Sequence, residues 1–396
     1  MIQSKNIFSR IFMNTDNEIL QVRRDLVANC RQIVVKAGTR LLTDPRRFSE
    51  LIAGIAALRE KNYKVMLISS GAVGTGMRAL DMEKRPRQLS EVQALAAIGQ
   101  GKLMALYDAE CRKYGFHTAQ LLLTADDLRQ RSRYINVANC ISALWRHDVL
   151  PIINENDSVS VDELKFGDND TLAGMLGAVL GAELTVILTT EAGLRKRNED
   201  GSLGERISLV KKLTPEMIAA AGDTDNSAMS IGGMISKLRA ANLVTESGNY
   251  LWIADGREHN ILEKIASGED VGTLFCPRRS KLHSRQCWIK FFAKASGSLT
   301  VDDGAIKALR SAGKSLLPSG VTGVFGSFKR GDTVEICTAS GEVIARGLSN
   351  YSSSECMTLK GKHHDEIVDL LGSNADIEFI HRDNMVLAPE LKGSLK

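Results

Sequence analysis

Two polar clusters, at 154–157 and 167–170, hold the densest set of reactive side chains in the chain. An apolar run, Asp148-Val149-Leu150-Pro151-Ile152-Ile153, leads directly into Asn154-Glu155-Asn156-Asp157. Gly167-Asp168-Asn169-Asp170 then opens a small-residue, helix-like stretch that reaches Ala182. Ligands of open α/β sheets bind at the carboxyl edge of the strands, so short acids and amides gathered there form a binding site. The free N–H groups and partial positive charge of the helix start favour an anion. The neighbouring carboxylates favour an ammonium group or a metal ion. Together they point to a zwitterionic substrate, a phosphate, or both. The plainer alternative is helix capping by Asp168 and Asp170 beside a solvated loop.

Three further loops follow apolar runs. Lys36-Ala37-Gly38-Thr39 comes directly after Ile33-Val34-Val35. A lysine at a strand end can aim a flexible ammonium at a phosphate, and Gly38 lets the backbone approach it. Ser69-Ser70-Gly71-Ala72-Val73-Gly74-Thr75-Gly76 follows Val65-Met66-Leu67-Ile68. Its glycines can present backbone N–H groups as an anion nest. It is neither a G-x-G-x-x-G nor a Walker A sequence, so neither of those mechanisms transfers. The last loop, Gly222 to Ser236, feeds a helix with Lys237 in its first turn. A cation there opposes the helix dipole, a cost that an intervening anion would relieve. Each loop also has a plainer reading: a surface lysine at a turn, a tight strand-to-helix turn, an exposed lysine after an ordinary loop.

Two lysines, a glycine-rich loop and an acidic cluster, with no Ser-His-Asp or Cys-His arrangement, fit phosphoryl transfer by positioning and charge neutralisation. A carboxylate acceptor needs no general base, because a glutamate side chain with a pKa near ~4.3 is already ionised at neutral pH.

The elements that must position these loops alternate along the chain. Strands are expected at 33–35, 65–68, 117–123, 149–153, 184–188 and 250–253. Helices are expected at 48–60, 91–113, 133–146, 170–181, 215–221, 234–246 and 260–266. Such alternation predicts βαβ units, a mostly parallel sheet and helices on both faces, a three-layer αβα sandwich. The pattern stops at the basic stretch Pro277-Arg278-Arg279-Ser280-Lys281. Beyond it, short glycine-punctuated strands at 297–301, 323–328, 333–337 and 343–347 surround one helix near 303–312. That texture predicts a small β-rich, barrel-like domain. The expected organisation is an unordered extension over 1–30, a first domain over 31–277 and a linker over 278–286. A second domain covers 287–385, with a tail over 386–396.

Composition sets outer limits. The 396 residues suit two domains, and 43% hydrophobic and 25% charged content is ordinary for a soluble globular protein. The net charge of +4 gives no global sign of nucleic-acid binding. Seven scattered cysteines without a C-x-x-C pair read as reduced thiols in a cytoplasmic protein. No apolar run approaches the roughly 20 residues of a membrane span. The segment from Met1 to Met13, with two basic residues and no acid, faintly suggests a transit peptide. No apolar region follows it, so a frayed extension is the plainer reading.

The four loops, in this order, resemble the amino-acid kinase family, and the match narrows to its glutamate-phosphorylating branch. The residues that carry it are VVKAGT at 34–39, ISSGAVGTG at 68–76, PIINENDSVSVDELKFGDNDTLA at 151–173 and IGGMISKLRAA at 231–241. The second domain, with TVDDGAIKAL, SLLPSGVTGVFGSFKRGD and ARGLSNYSS, resembles a PUA domain. The likeness covers about residues 32 to 385.

The resemblance implies that ATP and L-glutamate give ADP and L-glutamyl 5-phosphate, the first step of proline synthesis. It implies Lys36 and Lys237 on the transferring phosphoryl, with Asp170 holding both. It places Ser70, Gly71, Asp157, Asp168 and Asn169 around glutamate. Gly38, Thr189, Thr190, Ile231, Gly232, Gly233, Met234, Ile235 and Ser236 join the two lysines around ATP, with Mg²⁺ bridging its phosphates. It further implies proline as feedback inhibitor, a homo-oligomer (dimer or tetramer), and coupling to a glutamyl-phosphate reductase. Four positions depart from the usual pattern: Ala37 for Leu, Arg40 for Ser, Thr190 for Asp and Ile231 for Thr. They bear on nucleotide affinity more than on the chemistry.

PUA domains often bind RNA, but residues 287–396 carry 13 Lys and Arg against 13 Asp and Glu. Without a basic footprint, a structural or regulatory role is favoured over RNA binding. His363-His364 reads as polar surface, because no third metal ligand is apparent. Two competing readings are a relative that acts on another acid or on carbamate, and an RNA-binding regulator built on an inactive kinase.

Overall fold

The computed structural model describes residues 16–159, 168–198, 202–214, 217–218, 233–278, 283–371 and 376–387. The chain divides into two compact units, the first taking in nearly all of Met1–Lys281 and the second Leu282–Lys396. Among the described residues, no helix is long and apolar enough to cross a membrane.

The first unit opens with a helix, α1 (Asp16–Asn29). Strand β1 (Gln32–Ala37) leads through α2 (Thr39–Leu42) and α3 (Pro45–Glu60) to β2 (Lys64–Ile68). Helices α4 (Ala72–Ala79) and α5 (Leu89–Arg112) precede β3 (Thr118–Leu123). Then come α6 (Ala125–Arg129), α7 (Arg131–Arg146), β4 (Leu150–Glu155), α8 (Asn169–Leu180) and β5 (Leu184–Thr189). A hairpin of β6 (Arg195–Arg197) and β7 (Leu203–Arg206) is followed by β8 (Leu209–Val210), α9 (Met234–Glu246) and β9 (Tyr250–Asp255). Helix α10 (Ile261–Ala266) and strand β10 (Thr273–Phe275) complete the unit.

Eight strands form one sheet in the order β3-β4-β2-β1-β5-β9-β10-β8. Every neighbouring pair from β3 to β9 is parallel, and only β9–β10 is antiparallel. Strand β1 is central and buried along nearly its whole length, so its residues face protein on both sides. Ile33, Val35 and Ala37 pack with α3, α5 and α10 in one apolar cluster. Lys36 faces the opposite layer, where it meets α8. The sandwich expected from the alternating pattern is therefore present, with the carboxyl ends of β1, β2, β4 and β5 gathered at one edge.

Helix α1 corrects the expectation of an unordered extension over 1–30, of which residues 1–15 lie outside the described residues. Ile19 and Leu26 are buried in the main core, with Arg23 fully buried between them. The Arg23 guanidinium donates to the carbonyls of Ser208, Glu269 and Val271 at 2.7, 2.9 and 2.8 Å, and pairs with Asp270 at 3.0 Å. It also stacks 4.3 Å from the Trp252 ring centroid. Burial lowers its pKa to about 10 against the opposing pull of Asp270, so it remains charged at neutral pH. The inward stripe contains an arginine where an apolar residue would have advertised a helix, and the polar residues around it hid the pattern.

Two short strands, β8 and β10, extend the sheet beyond the expected last strand. The expected helix at 215–221 falls largely outside the described residues. In the second unit, α11 (Ser284–Phe291) precedes β11 (Gly297–Val301) and α12 (Asp303–Ala312). Strands β12 (Val321–Gly326), β13 (Thr333–Cys337) and β14 (Val343–Leu348) follow. Helices α13 (Ser353–Leu359) and α14 (His364–Leu371) and strand β15 (Met385–Leu387) come last. The sheet runs β12-β11-β13-β14-β15, around a core of its own that includes Leu299, Ile336, Ile344 and Phe379.

Candidate active site

Asp170 is the second residue of α8, behind the N-cap Asp168, whose Oδ1 accepts from Thr171 N at 2.8 Å. The Asp170 carboxylate is completely buried, and both oxygens meet lysines. Lys36 Nζ lies 2.7 Å from Oδ1, and Lys237 Nζ donates to Oδ2 at 3.0 Å. Ser236 Oγ lies 3.1 Å from Oδ2 and 2.9 Å from the Gly233 carbonyl. Three elements far apart in sequence thus converge: the end of β1, the start of α8 and the start of α9. Burial pushes the Asp170 carboxyl up, but Lys36 and Lys237 together hold it below the ordinary carboxylate range. The unfavourable place of Lys237 near a helix N-terminus is answered by this carboxylate. Two ammonium groups fixed at one point can neutralise the charge of a phosphoryl group in transfer.

On the side toward β2 and β4 the chemistry is neutral. Asn169 Nδ2 donates to Ser69 O at 2.8 Å, Ser70 Oγ at 2.9 Å and Asn154 Oδ1 at 3.1 Å. Asn154 Oδ1 also accepts from Glu155 N at 2.9 Å, and its Nδ2 donates to Gln100 Oε1 at 2.9 Å. Ser69 Oγ is 2.9 Å from the buried hydroxyl of Tyr107, whose pKa burial pushes far up. These contacts join Ser70 and Asn169, two residues that the family resemblance groups together. Asp168 caps α8 through one of its two carboxylate oxygens. Asp157 lies just past β4 and is half-buried.

The glycine-rich loop resolves differently from a nest. Gly71, at φ +95°, caps α4, which already contains Gly74 and Gly76. The N–H groups on offer are therefore those of a helix start. Gly76 serves packing: a Cβ there would lie 2.0 Å from the Leu95 carbonyl oxygen, which a side chain cannot approach so closely. Gly99, on the facing helix, has the same role, with Ala72 O at 1.8 Å. Gly38 has ordinary extended backbone at φ −75°, and a Cβ there would lie 3.9 Å from Lys36 Nζ.

Thr189 ends β5, and its carbonyl accepts from Gly256 N at 2.8 Å. Thr190 lines a cavity of about 600 Å³ together with Arg40, Asp44, Arg47, Glu191 and Arg257. Arg257 donates to the Thr190 carbonyl at 2.5 Å and pairs with Asp255 at 2.7 Å. Sequence reasoning marked Arg40 and Thr190 but missed Arg47, in the first turn of α3, and Arg257, just past β9, neither of which belongs to a motif. Gly233 is the N-cap of α9, and Met234 and Ile235 begin that helix. Ile231 and Gly232 lie outside the described residues. No group of three His, Cys, Asp or Glu among the described residues is placed to hold a metal ion. Gln100 was also missed, because a glutamine inside a long amphipathic helix gives no local signal.

Residues 31–255 match the model of the amino acid kinase family, and residues 297–371 match the PUA domain. The chain is 42% identical to the glutamate 5-kinase of Desulfotalea psychrophila over 93% of its length and 100% of that protein. It is 42% identical to the glutamate 5-kinase of Methylococcus capsulatus over 93% of its length and 100% of that protein. The glutamate 5-kinase of Thioalkalivibrio sulfidiphilus is 43% identical over 92% of this chain and 99% of its own.

Proposed function

Since this chain belongs to the amino acid kinase family, we propose that it transfers the γ-phosphoryl group of ATP to the side-chain carboxylate of L-glutamate. The products are ADP and L-glutamyl 5-phosphate, and the reaction opens proline synthesis. The observation that carries this reading is the junction at Asp170, where two lysines meet one buried carboxylate at 2.7 and 3.0 Å. Such a junction has little use in a binding module. It suits a reaction in which charge moves between two anions.

Lys36 and Lys237 contact the phosphoryl group in transfer, and Asp170 sets where they stand. The acceptor carboxylate attacks in its ionised form, so no side chain removes a proton. Ser70, Gly71, Asp157, Asp168 and Asn169 hold glutamate, with the carboxylates near its ammonium group. Gly38, Thr189, Thr190 and the segment Ile231–Ser236 face the nucleotide, which enters as its magnesium complex. The departures Arg40 and Thr190 line one cavity and act on nucleotide affinity. The enzyme works in the cytoplasm as a dimer or tetramer, is inhibited by proline and feeds a glutamyl-phosphate reductase. The PUA unit has a structural or regulatory role.

An ATP-dependent hydroxamate assay traps the acyl phosphate directly. Glutamate, aspartate and N-acetylglutamate run in parallel should give product with glutamate alone. Turnover of N-acetylglutamate or aspartate in its place would sink the substrate assignment.

A further inference from the structure

We propose that Gln100 is a positioning residue: it accepts from the Asn154 amide and holds it against Asn169, so that Asn169 meets its ligand through its carbonyl oxygen alone. The proposal rests on the glutamate site proposed above and adds a residue and a polarity to it.

The argument starts from two backbone groups that cannot reverse their roles. The Ser69 carbonyl can only accept, so the Asn169 atom 2.8 Å from it is nitrogen. The Glu155 N–H can only donate, so the Asn154 atom 2.9 Å from it is oxygen. Asn154 nitrogen is then left facing Gln100 Oε1 at 2.9 Å. The chain of amides has one consistent direction, and it ends at Gln100.

This direction has a consequence at each end. The Asn169 nitrogen has two protons and is already shared among Ser69, Ser70 and Asn154. Its Oδ1 is buried and has no donor among the described residues. At the other end, Gln100 Nε2 is buried and equally bare. Buried polar atoms without partners lower stability. A methionine would fill the Gln100 position at similar length and remove that bare atom, but it would leave the buried Asn154 nitrogen without its acceptor. What glutamine adds is an acceptor for Asn154. That bond anchors Asn154, which the Glu155 N–H already orients, with its oxygen on Asn169, and Asn169 presents its own oxygen to the ligand. The ligand group at that point must be a donor, which the ammonium of an α-amino acid is and its carboxylates are not.

The test is a double-mutant cycle on the full chain with Gln100→Met, Asn169→Ala and the pair, each read by Tm, kcat and both KM values. Gln100→Met exchanges one bare buried atom for another, so Tm should move by only a few degrees while KM for glutamate rises about tenfold, with kcat and the ATP KM within about twofold. The double variant should match Asn169→Ala within about twofold, because Gln100 acts through Asn169. Gln100→Glu should fall nearer wild type than Gln100→Met, since a buried carboxyl protonates and still offers an acceptor oxygen. A wild-type KM in Gln100→Met, fully additive effects in the pair, or equal impairment of the Met and Glu variants would each overturn the proposal. If Gln100→Met does not fold, the Gln100→Glu arm and its pairing with Asn169→Ala decide the matter. Wild-type turnover of glutamate in the same assay tests the parent reading separately.

Discussion

Around Asp170, both lysine ammoniums find an oxygen of one fully buried carboxylate, at 2.7 and 3.0 Å. Around Asn169, amides and serines satisfy one another at 2.8–3.1 Å, yet Asn169 Oδ1 and Gln100 Nε2 stay bare. The two regions adjoin in sequence and differ in kind. On the ionic side every charge has its counter-charge before any ligand arrives, because a buried charge left unpaired would cost far more than the fold could bear. The amide side can stay incomplete, since a neutral unpaired atom costs only a small fraction of that. A phosphoryl-transfer site needs its charges in place before the reaction. A site that selects an amino acid needs an unused acceptor waiting for it. The contrast predicts that damage on the ionic side lowers both stability and turnover, whereas damage on the amide side lowers affinity alone.

Asp170→Asn should have the largest effect. It leaves two buried ammoniums without a counter-charge, and breaking a buried pair this way costs about 3–5 kcal/mol. Tm should fall by several degrees and kcat by orders of magnitude. The pH dependence has a definite sign. The folded carboxyl lies below the ordinary range, so its stabilisation is fully present above the ordinary carboxylate pKa. It is lost only as pH falls through the lower folded value. The Tm gap between wild type and Asp170→Asn should therefore be flat from about pH 6 to 8 and close only in acid. A gap that changes steeply near neutrality would mean that another group governs it.

Lys237→Met comes next. It removes one of two cations, and losing a single electrostatic contact of this kind typically costs about 10²–10³ in kcat. Asp170 keeps Lys36, so Tm should fall less than in Asp170→Asn. The KM for glutamate should stay within a few fold. Near-wild-type turnover, or an effect confined to the glutamate KM, would erase the division between the two sides.

That division was only half legible in the sequence. The strand-loop order placed Lys36, Asp170 and Lys237 at one sheet edge, because βαβ periodicity fixes which ends of the strands share a side. Polar density between β4 and α8 marked Asp157, Asp168, Asn169 and Asp170, and the family resemblance added Ser70. What stayed hidden depends on contacts between distant elements. Gln100 lies in the middle of α5 and meets Asn154 at the end of β4, 54 residues further along the chain. Arg23 reads locally as a surface charge on a polar segment, yet it is buried against Trp252 and three carbonyls. The loop at 69–76 carried the glycines of a nest, but one glycine turns the chain and another makes room for a helix. In each case the residue type was visible and its partner was not.

Asn169→Ala should have the smallest effect and draws the comparison most sharply. The substitution removes the bare Oδ1 and with it one hydrogen bond to a charged donor, worth about 1.5–3 kcal/mol when the ligand is bound. That corresponds to a rise of about 10- to 100-fold in the KM for glutamate. Alanine also frees Ser69 O and Ser70 Oγ, but it deletes a buried unpaired atom, so Tm should move little in either direction. The ATP KM should not change, because no nucleotide-side element touches Asn169 among its hydrogen-bond partners. Isothermal titration with glutamate, alongside steady-state kinetics, separates affinity from turnover. Were Tm to fall as far as in Asp170→Asn, or the loss to appear in kcat with glutamate affinity intact, the amide side would be as structural as the ionic one. The bare oxygen would then have no claim on the substrate.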